Sequence, residues 1–278
     1  MAQPGLAAVL AAQGFPSLRV SVVGLVAAAA GFLAVFSLND VLDRHVDAVS
    51  LASGKAEASG YDIDTAFVRH PLARGDLSLR FALSWVLALG VLSAVLAWWL
   101  SPVCLLLFAG AVALECLYCA LRSVTVWKTL VSGAMVGIGG LAGWAAVKPL
   151  SVAALSVFLF LALWEIGGRN LANDLADVES DRRVGIKTVA TVYGPQTAAR
   201  AACVVGFATL ASSTVLPLSS QVLTDVVIGV GLVVLAWPGA FLWHNPTPEQ
   251  AASYFNRASL FPALVLLVAL LPALFGAL

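Results

Sequence analysis

Long, unbroken apolar runs alternate with short polar breaks along almost the whole chain. The runs at Leu18–Leu38, Arg80–Leu100, Pro102–Leu121, Trp127–Val147, Leu150–Gly168, Thr197–Leu216, Gln221–Trp243 and Arg257–Leu278 are each long enough to cross a bilayer core of about 30 Å as a helix. A membrane β-barrel would show weak alternation in place of solid runs. The pattern predicts an all-α, multi-span transmembrane helical bundle of about eight spans. No polar linker divides two cores, so residues 1–278 read as a single integral-membrane domain. Residues 1–17 are apolar but too short to span, and read as a surface helix or a disordered start. With no basic leader and an acidic motif directly behind it, the first run does not read as a cleaved signal.

Composition agrees with this reading: 61% of residues are hydrophobic and 11% charged, less than half the share of about 25% usual in soluble domains. The net charge of zero hides an asymmetry. Of the 15 Lys and Arg residues, only Arg19 and Lys148 fall on the face that carries the N-terminus; the rest fall on the other face, which the positive-inside rule makes cytoplasmic. No basic tract suggests nucleic-acid binding.

The polar breaks carry a repeated motif. N-D-x-x-D-x-x-x-D occurs as Asn39, Asp40, Asp43 and Asp47, and again as Asn173, Asp174, Asp177 and Asp181, each at the downstream end of an apolar run. Offsets of three and four put each set of carboxylates on one helix face. Such clusters at a membrane boundary need a neutralising cation. Mg²⁺ is the natural candidate, a hard ion that shares oxygen ligands with substrate phosphates. Carboxylates at helix C-termini oppose the macrodipole, which argues against a merely solvating role. All six aspartates are therefore candidate metal ligands and catalytic groups, with Asn39 and Asn173 as neutral ligands or orienting groups.

Diphosphate charge left over would be met by Lys128, Arg69, Arg74, Arg182, Arg183 and Lys187. Lys128 leads this set because it opens a helix near Tyr118 and Arg122; each of the others serves equally as a positive-inside anchor. Two long loops on the motif side, roughly 40–79 and 170–196, predict a cap over a central cavity. Glu115 and Glu165 lie within spans as packed groups or cavity acids in equal measure. His45 reads as a solvated loop residue. Cys116 and Cys119 form a C-x-x-C best read as small apolar packing. Gly133/Gly137 and Gly139/Gly143 have the spacing of close helix contacts. Tyr118, Trp144 and Trp164 are candidates for stabilising a cation through their ring faces.

No phosphate-binding G-x-x-x-x-G-K-[ST] loop and no protein nucleophile stand out. Metal-held diphosphate in an apolar bundle suggests a lipid-tailed substrate that loses diphosphate, leaving an allylic cation for an acceptor to capture. Capture within the substrate itself would make a terpene cyclase. A cation- or proton-coupled transporter is the non-enzymatic alternative, disfavoured because the motifs lie at a membrane face and away from the midplane.

These motifs resemble those of the UbiA superfamily of intramembrane prenyltransferases. NDVLDRHVD is similar to the family's first motif, NDLADVESDRRVGIKT contains its second, and Gly185-Ile186-Lys187-Thr188 is similar to its second loop. Tyr118 and Lys128 resemble its Y…K element. The resemblance covers almost the whole chain. It implies Mg²⁺-dependent transfer of a prenyl group from a prenyl diphosphate to an acceptor, often an aromatic ring in quinone, haem or chlorophyll pathways, and of these the quinone-precursor type is expected here. With the basic residues gathered on the motif side, the expected place is the cytoplasmic face of a bacterial inner membrane. It also implies a span ahead of the first motif that is here missing or shortened to residues 1–17. Where the family carries N-R-P-L-x-x-G, this chain reads Arg69-His70-Pro71-Leu72-Ala73-Arg74-Gly75, so that Arg69 or Arg74 would replace the family arginine.

Overall fold

The computed structural model describes residues 2–52 and 71–276. Among them the regular structure is all helical. In chain order the elements are α1 (Ala2–Ala12), α2 (Leu18–Ala52), α3 (Leu79–Leu100), α4 (Pro102–Leu121), α5 (Lys128–Ala145) and α6 (Val152–Leu163). A π-helical stretch (Trp164–Asn170) follows, then α7 (Leu171–Ala176), α8 (Val178–Val184), α9 (Val189–Tyr193), α10 (Pro195–Ser212) and α11 (Gln221–Gly231). A second π-helical stretch (Leu232–Ala236) leads into α12 (Trp237–His244), and α13 (Pro248–Ala258) and α14 (Phe261–Phe275) follow.

Among the described residues, seven helices are long and apolar enough to cross a membrane, and the chain is an integral membrane protein. The expected span at Trp127–Val147 is the exception. It forms α5, whose 18 residues would extend about 27 Å at 1.5 Å per residue. It is less apolar because protein surrounds it: Lys128, Thr129, Ser132, Gly133, Gly137, Gly140, Leu141, Gly143 and Trp144 are all buried. A helix facing protein does not need the side chains that a lipid-facing helix needs. By contrast α3 and α4 expose Phe81, Leu87, Val95 and Leu106, as peripheral spans do.

Close backbone approach holds the bundle together. A Cβ at Gly133 would strike Ile166 and the Ala162 carbonyl, one at Gly137 would strike Phe158, and one at Gly140 would strike Leu161. These contacts seat α5 on α6 and its π-helical extension. The second expected pair divides: Gly143 meets the Pro4 backbone, whereas Gly139 has nothing within 4 Å. Gly140, one position on, takes the packing role because it faces α6.

Helix α1 is neither a surface helix nor a disordered start. It packs against α5 and α14 and buries Leu6, Ala7 and Leu10. An apolar helix too short to cross the bilayer satisfies its side chains by lodging among longer ones.

The acidic motifs also differ from expectation. Helix α2 does not stop at Leu38 but continues to Ala52, so the first motif lies inside a helix and the macrodipole argument fails for it. The second motif spans a break. Asp177 (φ −98°, ψ 10°) ends α7 and begins α8, and the acidic residues of α8 fall in its first turn, where the dipole favours them. Backbone bonds from Asp177 N to Asn173 O and from Asp181 N to Asp177 O, both 2.9 Å, preserve helical spacing across the break.

Candidate functional site

Helix α2 packs against α8, which brings the two acidic motifs to the same end of the bundle. In each motif, one carboxylate is held by a cation from the α4–α5 region. Arg122, just past the end of α4, pairs with Asp43, both less than a fifth exposed. Burial lowers the proton affinity of the Arg122 guanidinium. Lys128, at the start of α5, lies 3.1 Å from Asp174 Oδ1, both nearly sequestered from solvent. Lys128 Nζ also donates to the Tyr118 hydroxyl at 3.1 Å and sits 4.9 Å from the centre of the Tyr118 ring. Asn170 Nδ2 reaches the same hydroxyl at 3.5 Å, and Thr129 donates to Asn170 Oδ1. A buried polar cluster thus connects α4, α5, the first π-helical stretch and α7.

The other predicted residues are placed as follows. Asp40, Asp47, Asp177, Asp181 and Asn173 are partly buried on α2, α7 and α8, and each of these four aspartates has an interaction partner. Asn39 Nδ2 donates to Glu115 Oε1 at 2.7 Å. Arg182 and Arg183 are exposed on α8. Lys187 bridges to the α4–α5 loop: its N–H donates to Arg122 O at 2.7 Å and its Nζ to Val124 O at 3.2 Å. Arg74 is exposed and pairs locally with Asp76 at 3.5 Å, not with either aspartate row. Arg69 and His70, with the central part of the first long loop, lie outside the described residues. The second long loop forms α8 and α9, and Thr188 begins α9 with a reciprocal capping box to Thr191.

Sequence reasoning missed Arg122, Asn170 and Thr129 as members of this cluster. Arg122 carried one readable signal, since it follows Tyr118 by four positions on the same helix face. Two expected aromatic groups fall elsewhere. Trp144 lies at the opposite end of α5, where its Nε1 donates to Pro149 O and Lys148 covers its ring. Trp164 is buried, bonded to Ala258 O at 2.7 Å, with Arg169 over its ring. Glu165 is a packed polar group that accepts from Ser132 Oγ at 3.0 Å and pairs with Arg169 at 3.4 Å. His45 is exposed beside Arg44.

The sequence profile of the UbiA prenyltransferase family matches residues 3–261. The chain belongs to this family. It is 31% identical over 193 residues to the 4-hydroxybenzoate octaprenyltransferase of Hydrogenovibrio crunogenus, a match covering 66% of this chain and 60% of that relative. The chain therefore spans about three fifths of the length of that curated relative. Its fold superposes on the apo structure of a UbiA homolog from Aeropyrum pernix K1 with a TM-score of 0.75 at 19% identity, over 96% of both chains. A UbiA homolog from Archaeoglobus fulgidus bound to DMAPP and Mg²⁺ superposes with a TM-score of 0.69 at 18% identity, over 96% of this chain and 94% of that one. At these identities the superpositions establish the UbiA fold.

Whether this UbiA-family site suits Mg²⁺ can be judged from its donors. Among the described residues no three His, Cys, Asp or Glu side chains converge as a ready-made metal cage. Mg²⁺ does not require one, since it usually takes one or two carboxylates together with waters and substrate phosphates. The donors here are carboxylates and an amide, all hard oxygens. Arg122 already holds Asp43 as a positive partner would. The donor set fits the ion.

Proposed function

We propose that this UbiA-family chain is an Mg²⁺-dependent prenyltransferase. In this reading it moves a prenyl group from a prenyl diphosphate to an aromatic acceptor of the quinone-precursor type, at the cytoplasmic side of a bacterial inner membrane. The observation that carries it is the meeting of two acidic motifs at one end of an apolar bundle, with Arg122, Lys128 and Lys187 gathered around them. The name of the Hydrogenovibrio relative supports the acceptor class, and the DMAPP and Mg²⁺ of the Archaeoglobus homolog support the donor and the ion. The distribution of Lys and Arg supports the sidedness.

Asp40, Asp43 and Asp47 on α2 and Asp177 and Asp181 at the α7–α8 break would hold the metal, with Asn39 and Asn173 beside them. Bound there, Mg²⁺ would neutralise charge that develops on the departing diphosphate. Arg122 and Lys187 supply fixed positive charge near the diphosphate, with Arg182 of α8 as a further contact. Asp174, paired with Lys128 as Asp43 is paired with Arg122, would join the metal-holding aspartates, and Lys128 also holds the Tyr118 hydroxyl in place. The bond between the first prenyl carbon and the diphosphate oxygen breaks, and its electron pair leaves with diphosphate. The acceptor carbon then donates a pair to the allylic cation and gives up its proton. The apolar walls of the bundle exclude water that would quench that cation.

The test is incubation of the protein in nanodiscs with Mg²⁺, prenyl diphosphates of graded chain length and a panel of aromatic and glycerol-based acceptors. Prenylated aromatic product with release of diphosphate is the expected result, and Asp43→Ala and Asp177→Ala each reduce release to background while the protein stays folded. Wild-type activity in both variants would remove the assignment. A cyclic hydrocarbon formed without acceptor would move it to a terpene cyclase.

A further inference from the structure

Glu115 is a carboxylate within a membrane-spanning helix, is 4% exposed, and has no cationic partner among the described residues. An intramembrane carboxylate held without an ion pair is expensive and marks a functional position. Its bonds are specific. Asn39 Nδ2 donates to Oε1 at 2.7 Å, and Cys119 Sγ, one turn along α4, approaches the same oxygen at 3.6 Å. Asn39 Nδ2 also lies 3.4 Å from Cys119 Sγ. Asn39 opens the first acidic motif and precedes Asp43 by four positions, so the two share a face of α2.

Glu115 Oε1 is an acceptor, and an amide meets an acceptor with its amino group and not with its oxygen. That contact sets which end of the Asn39 amide faces α4. The amino group turns toward Glu115 and Cys119, and the amide oxygen is left on the side away from them.

We infer that Glu115 is a positioning residue, which locks the Asn39 amide so that its oxygen is presented to the cation held by the first acidic motif. The inference rests on the metal-dependent prenyltransferase reading above and deepens it. It also gives Cys119 a place: the thiol occupies the remaining side of the amino group and excludes water there. Groups that orient metal ligands in this way typically change metal affinity by about 10- to 100-fold when removed.

The test compares wild type, Glu115→Gln, Glu115→Leu, Asn39→Ala and the Glu115→Leu/Asn39→Ala double variant in nanodiscs. Binding of Mn²⁺ in the presence of inorganic diphosphate is measured by electron paramagnetic resonance, which needs no turnover. The Mg²⁺ dependence of diphosphate release and the unfolding temperature are recorded alongside. Glu115→Leu is expected to weaken Mn²⁺ binding by about tenfold and to raise the Mg²⁺ requirement equally, with kcat recovered at saturating metal. Glu115→Gln keeps a carbonyl that accepts from Asn39 and retains binding within about threefold of wild type. Asn39→Ala weakens binding as Glu115→Leu does, and the double variant is no worse than either single one. Unchanged Mn²⁺ binding in Glu115→Leu, an equal loss in Glu115→Gln, or losses that multiply in the double variant would each overturn the positioning role. When wild type still releases diphosphate, those results leave the prenyltransferase reading intact. A wild-type protein that neither binds Mn²⁺ nor releases diphosphate overturns both.

Discussion

Lys128 and Asp174 form an ion pair in a setting where neither tolerates the loss of the other. Removing one partner of a buried pair leaves an uncompensated charge and costs about 3–5 kcal/mol, whereas replacing both by uncharged groups of similar volume is close to neutral. Lys128→Met should therefore lower the unfolding temperature sharply, and Lys128→Met/Asp174→Asn should recover most of the loss. Thermal unfolding in nanodiscs checks both, and equal stability of the single and double variants would contradict an uncompensated charge at Asp174 as the source of the loss. Lys128 could be singled out from the sequence because it opens an apolar helix close to Tyr118 and Arg122. Its choice of Asp174 over a free phosphate could not, since that depends on how α5 and α7 meet. Arg122 was harder still: an arginine after a span looks like an interface anchor, and the α2 contact that gives it Asp43 comes from a distant part of the chain.

Helix boundaries followed hydropathy only where lipid sets them. The starts of α3, α4 and α11 lie within a residue of the apolar runs, because Ser78, Ser101 and Ser220 cap them where the polar break begins. Hydropathy failed for α2, where the acidic motif interrupts apolarity but not helix geometry, and for α7–α8, where the break falls inside the motif. The run at Trp127–Val147 did form its helix, α5, less apolar than the other spans because protein encloses it. Glycine contacts on α5 yield a paired prediction. Gly143→Val drives side-chain atoms into the Pro4 backbone of α1 and should destabilise by about 1–3 kcal/mol. Gly139→Ala meets open space and should be neutral or stabilising by up to about 1 kcal/mol, the helix-propensity difference. Unfolding of both variants distinguishes these outcomes, and equal destabilisation would contradict the packing described for α5.

The bundle as a unit carries its charges asymmetrically, which makes its orientation testable. Arg19 donates to Trp99 O at 2.7 Å and lies over the Trp99 ring, and Lys148 lies over Trp144, so the two basic residues at the far end are both tied to aromatic anchors. With the native cysteines replaced, Lys148→Cys in spheroplasts should react with a membrane-impermeant maleimide, and Arg183→Cys should react only after permeabilisation. The reverse pattern would place the acidic end outside. This division of charge, together with the all-helical, multi-span class, was readable from the order of apolar runs and basic residues. The lodging of α1 between α5 and α14 was not, because an apolar helix of eleven residues has no single preferred depth until its neighbours supply one.

The bonds from Lys187 to the α4–α5 loop have a mechanical consequence. They tie the segment after α8 to the residue that grips Asp43, so the two acidic motifs are latched to each other through Arg122 as well as through the contact of α2 with α8. Any opening of the bundle's rim between α4 and α8 has to unfasten that latch first. The stretch from Gly185 to Thr188 is in that sense a clasp that fastens the segment after the second motif to the helix end beside the first.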